Sequence, residues 1–140
     1  MRLTSREYRR LAGIPQQLKP VRLTATEHDE QVMLVEWLVM RGIRHAATPN
    51  GGVRNRATAG KLRAEGVSSG FPDITVFPSR PDLPILFIEM KRRAGGRLRP
   101  EQRDWLEYLN SLAETGAHRL KATVANGFHE AREYITANGY

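Results

Sequence analysis

The sequence predicts an α/β domain, a mixed β-sheet flanked by helices on both faces, and three observations predict it. Two β-branched apolar runs, Ile74 to Phe77 and Ile85 to Ile88, enclose a segment holding Pro78, Ser79, Pro81, Asp82 and Pro84, which reads as a hairpin. Both runs are almost continuously apolar, the pattern of strands covered on two sides. Stretches of helical periodicity surround them in the order helix, strand, helix, hairpin, helix, strand, helix. The 140 residues suit one such domain and are too few for two independent cores.

Residues 1–23 come first and carry Arg2, Arg6, Arg9, Arg10, Lys19 and Arg22 against Glu7, followed by no sustained apolar pattern, so they are expected to form a mobile basic arm. The single domain is expected over residues 24–140. Thr26 is positioned to cap a helix running to about Met40, with Glu27, Asp29 and Glu30 in its first turn, where the helix dipole favours acids. Glu27, Gln31, Leu34 and Leu38 also form one helical stripe, with Glu30 close beside it. Gly42 ends this helix, and Ile43 to Thr48 form a short strand before the turn residues Pro49 to Gly52. A second helix is expected from Asn55, as cap, to Glu65, stopped by Gly66. After the hairpin, Gly95 and Gly96 mark a loop and Pro100 opens a helix whose inner face holds Trp105, Leu106, Leu109 and Leu112, with Gln102 one turn earlier on the same side. Leu120 to Ala125 reads as a strand and Phe128 to Ala137 as a final amphipathic helix.

Charge points to the partner. The chain has 22 Lys and Arg against 15 Asp and Glu, a net charge of +7, which favours a polyanion such as nucleic acid. Arg44, Arg54, Arg56, Lys61 and Arg63 cluster before the hairpin, and Lys91, Arg92, Arg93, Arg97, Arg99 and Arg103 cluster after it. With no cysteine, disulfides and thiolate metal sites are excluded, and a cytoplasmic setting is expected. No apolar run is long enough for a signal peptide or a membrane span.

The hairpin holds the chemistry. Folded about Pro81, it pairs Asp73 with Glu89 on one face, alongside Thr75 and Phe87, and sets Lys91 two residues beyond. Ile74, Ile88, Val76 and Leu86 fall on the other face. Two carboxylates side by side repel and require a compensating cation, which a magnesium or manganese ion on oxygen ligands would supply. The plainer alternative leaves Asp73 at a strand start and Glu89 paired with Lys91 at a solvated sheet end.

These residues resemble the VRR-NUC group of the PD-(D/E)XK nucleases, including its small standalone phage and bacterial members. Five segments carry the resemblance in order: Glu27 with Gln31, the loop PNGGVR from Pro49 to Arg54, EGVSSGFPD ending at Asp73, EMKR from Glu89, and GGRLRPEQ ending at Gln102. It extends from Glu27 to the end of the chain. Arg99 departs from it, standing where the group has a Ser-like helix cap.

The resemblance implies a restriction-endonuclease-like αβββαβ core and hydrolysis of DNA phosphodiester bonds leaving 5′-phosphates. It implies that Asp73, Glu89, Glu27 and the backbone carbonyl of Met90 bind Mg2+ or Mn2+, with Glu30 as the substitute for Glu27. Lys91 would orient the attacking water, and Gln102 and Gln31 would position water or phosphate. Arg54, Arg56, Lys61, Arg92, Arg93 and Arg97 are the expected DNA contacts. A homodimer acting on branched DNA such as four-way junctions follows from the same resemblance, and a noncatalytic nucleic-acid-binding module on the same fold is the alternative.

Overall fold

A computed structural model describes residues 24–49 and 56–140. The expected basic arm over residues 1–23 lies outside the described residues, as do Gly51, Gly52, Arg54 and the expected cap Asn55. The elements follow the predicted order: α1 (Glu27–Met40), β1 (His45–Ala47), α2 (Arg56–Ala64), β2 (Ile74–Val76), β3 (Ile85–Lys91), α3 (Pro100–Glu114), β4 (Leu120–Asn126) and α4 (Phe128–Ala137).

The sheet is four-stranded and mixed, in spatial order β1-β2-β3-β4. β1, β2 and β3 are antiparallel neighbours, and β4 runs parallel to β3. Returning parallel to β3 requires a crossover, and α3 supplies it. The hairpin register is the predicted one, Ile74 facing Ile88, Thr75 facing Phe87 and Val76 facing Leu86. Pairing with β3 ends at Val76, and the Phe77 N–H, which faces β1, donates to the Arg44 carbonyl at 2.8 Å.

Each face of the sheet has its own core. Ile74, Val76, Leu86, Ile88 and Met90 pack against Leu34 and Leu38 of α1 and Ala131 and Ile135 of α4. On the opposite face Leu106 and Leu109 of α3 cover Ala122, Phe87 and Val124. Period-two alternation in β3 thus assigns even residues to the α1/α4 layer and odd residues to the α3 layer. Glu89 and Lys91, both odd, continue the α3 side past its last apolar residue.

α1 starts as its sequence dictates: the Thr26 hydroxyl accepts from the Asp29 N–H at 3.1 Å, and Asp29 accepts from the Thr26 N–H at 2.7 Å. Glu30, Leu34 and Leu38, four residues apart, are its buried row. By contrast, α2 buries none of its residues and presents Arg56, Lys61 and Arg63 to solvent.

Candidate active site

Asp73 immediately precedes β2, and by the register it lies opposite Glu89 on β3. Its Oδ2 accepts the Met90 N–H at 2.8 Å, a bond that the Pro72 carbonyl would make if β2 extended two residues further back. Even residues of β3 direct their main-chain groups toward β2, whereas the Lys91 carbonyl, facing the other way, accepts from the Gly127 N–H at 2.8 Å. The Met90 carbonyl therefore points to the β2 side as well. Opposite it stands Pro72, which is buried and has no N–H to offer.

Glu89 is 1% exposed and lies at the centre of the cluster. Its Oε1 accepts from Lys91 Nζ at 2.7 Å and from Gln102 Nε2. Its Oε2 is buried without a hydrogen-bond partner among the described residues. Gln102 reaches Glu89 from the first turn of α3 and is fixed at its other end, where Oε1 accepts the Arg99 N–H at 2.9 Å. That bond is the inner half of a capping box, made by Gln102 to the main chain of Arg99, whose own side chain makes no capping hydrogen bond. α3 can approach this closely because residue 70 is glycine, with φ +86 and a position where a Cβ would fall 2.5 Å from the Glu101 carbonyl carbon.

Lys91 is buried, and its ammonium also lies 3.7 Å from Glu27 Oε1 at the start of α1. Glu27 is thus brought to the cluster through Lys91, with its side chain 47% exposed. Glu30, weighed as its substitute, is committed elsewhere. Fully buried, it accepts the Phe128 N–H at 2.7 Å on Oε2, and its Oε1 lies 2.7 Å from Arg93 Nε. Gln31 is half-buried, and its side chain makes no hydrogen bond among the described residues. Of the expected DNA contacts, Arg56, Lys61 and Arg97 are exposed, and Arg92 donates to the Gly95 carbonyl of its own loop at 3.0 Å. The binding of Glu30 to α4 escaped the sequence, since its partner Phe128 lies 98 residues away; only the spacing of Glu30 from Leu34 and Leu38 hinted at burial.

Burial pushes the Glu89 carboxyl up to about 7 from an ordinary 4.5, opposed by the Lys91 hydrogen bond and reinforced by the charges of Asp73 and Glu27. An acid held this far from its ordinary state, with one oxygen unpartnered, is suited to a cation that replaces its proton. No group of three or more His, Asp or Glu side chains among the described residues is assembled to hold a metal by side chains alone. Two carboxylates and a main-chain carbonyl are nonetheless hard oxygen donors, the set that suits magnesium or manganese with water completing the shell.

An acidic pair lies at the end of a mixed sheet, with an ammonium beside it and helices on both faces, in a nuclease-like fold. The sequence model of the VRR-NUC domain matches residues 25–128, and the chain belongs to that family. Among solved structures, a VRR_NUC domain protein is similar in fold, with a TM-score of 0.65 at 21% identity, the match covering 82% of this chain and 88% of that one. No curated protein matches the chain.

Proposed function

We propose that this protein is a divalent-metal-dependent deoxyribonuclease that hydrolyses phosphodiester bonds in branched DNA. The observation that carries the proposal is the buried, unpartnered Oε2 of Glu89 beside Asp73, with Lys91 against the same carboxylate. A noncatalytic binding module has no use for an acid kept at this cost, about 1–3 kcal/mol for an unmet buried oxygen.

Asp73, Glu89 and the Met90 carbonyl would hold Mg2+ or Mn2+, with Glu27 at the margin of the set. When bound, the ion would neutralise charge on the phosphate and lower the pKa of the attacking water. Lys91 orients that water and favours its deprotonated form, because an ammonium stabilises a neighbouring anion. Gln102 holds Glu89 in one rotamer, so the acid is placed before substrate arrives. The exposed Arg56, Lys61 and Arg97 neutralise phosphates flanking the cut. Branched DNA and a second copy of the chain come from the family resemblance: two sites related by a twofold axis match the paired cuts that a four-way junction requires.

Labelled junctions, flaps, nicked and plain duplexes incubated with Mn2+, Mg2+ or EDTA test the proposal. The wild type is expected to cut a branched substrate only with metal. Asp73→Ala or Lys91→Ala should lose about 10³-fold in rate and keep binding within about threefold. Equal cutting by wild type and Asp73→Ala would refute it.

A further inference from the structure

Among the described arginines around the site, Arg93 alone is paired with a buried acid. Its Nε lies 2.7 Å from Oε1 of Glu30, a carboxylate that is 0% exposed, while the arginine side chain itself is 55% exposed. The contact is an ion pair without hydrogen-bond alignment, so Glu30 steers the guanidinium by charge. Glu30 is in turn held by the Phe128 N–H at the start of α4. Gly127 makes the channel between them: its φ is +92, and a Cβ there would stand 2.7 Å from Arg93 Cγ and 3.1 Å from Glu30 Oε2.

A buried acid paired to a half-exposed arginine is a costly way to stabilise a fold, because ion pairs with a solvated member contribute little while the acid is fully desolvated. The same arrangement is a sound way to aim a cation. No described residue accepts from the Nη nitrogens of Arg93. They are left with the planar fork that fits a phosphate. Glu27 and Glu30 lie one turn apart on α1, and they meet Lys91 and Arg93 respectively, so one helix start places both the ammonium and the guanidinium.

Resting on the nuclease reading above, we infer that Arg93, oriented by Glu30, clamps a DNA phosphate next to the one being cleaved, and that Glu30 is a positioning residue rather than a metal ligand. Arg92, whose guanidinium folds back onto Gly95, has no such support, and Arg97 has no buried acid paired with it.

The test compares wild type, Arg93→Ala, Arg93→Lys, Glu30→Gln and the Glu30→Gln/Arg93→Ala double variant on a labelled four-way junction. Arg80→Ala serves as charge control, since Arg80 pairs with Asp82 in the hairpin turn. Turnover is measured with Mn2+ and binding with Ca2+ over a salt series. Arg93→Ala is expected to lower kcat about 10- to 100-fold, Arg93→Lys not to restore it, and the salt slope to fall by about 0.9. Glu30→Gln keeps an acceptor for Phe128 and should lower kcat in the same direction, with the double variant no worse than Arg93→Ala. Arg80→Ala should match wild type in kcat.

Wild-type kcat in Arg93→Ala, or a double variant whose loss is the product of the single losses, overturns the inference and leaves the nuclease reading standing. A wild type that cuts no DNA overturns the nuclease reading instead. The binding series then decides: an unchanged slope in Arg93→Ala overturns the clamp, and a shallower one supports it. If circular dichroism shows Glu30→Gln unfolded, the Arg93 variants decide alone.

Discussion

Glu89 shows at the residue scale how a site trades stability for readiness. Its folded-state pKa of about 7 exceeds the ordinary 4.5, so between those values the folded chain keeps a proton that the unfolded chain has released. Stability from this group is therefore greatest below pH 4.5, declines as pH rises to 7, and levels off above, a total of roughly 3 kcal/mol. Thermal melts in EDTA across that window should show the decline, and Glu89→Gln should flatten it. Adding Mg2+ above pH 7 should raise the melting temperature of wild type and leave Glu89→Gln unmoved. The pairing of Asp73 with Glu89 was legible in the sequence because folding the proline-rich turn about Pro81 sets that register. The partner of Glu30 was not, since burial of an acid depends on which distant backbone arrives beside it, here Phe128.

Elements were legible where local chemistry decides them. Thr26 with Asp29, Pro100, and the apolar runs of β2 and β3 each settle their own segment, and the structure places them as expected. β1 is shorter than the run from Ile43 to Thr48, because ladder pairing with β2 reaches only from His45 to Ala47. The close seating of α3 was not legible, since nothing local marks Gly70 as a contact rather than a turn. Gly70→Ala would need both a positive φ and a backbone shift of Glu101, so a loss of at least about 2 kcal/mol is expected. Denaturant melts read that loss. Because Gln102 hangs from the same turn, turnover in the folded fraction should fall with it, whereas a purely destabilising change such as Leu38→Ala should leave turnover per folded molecule intact.

For the whole molecule, the two faces of the sheet divide the labour. The α1/α4 side is an apolar core that ends in the buried Glu30, and the α3 side gives way at its end to Glu89, Lys91 and Gln102. Basic residues outside these layers, such as the exposed Arg56 and Lys61 of α2, take no part in the packing and on the proposed reading would add affinity for DNA. Arg56→Ala/Lys61→Ala should therefore leave the melting temperature unchanged while weakening DNA binding and reducing the salt slope by about 1.8. Binding isotherms at several salt concentrations check this. Net charge alone foretold such a surface, although only the structure separates these exposed cations from Arg93 and Lys91, which are tied to buried acids.

Pro72 carries a final consequence. Since the ring nitrogen bears no hydrogen, no fluctuation of the chain can zip the strand edge shut beside Met90, and the opening is fixed by covalent structure rather than by a balance of weak forces. On the metal-dependent reading, an arriving cation would meet a vestibule already made. Amide exchange along Ile88 to Met90 should accordingly be the same before and after loading, the mark of a lock that needs no turning parts.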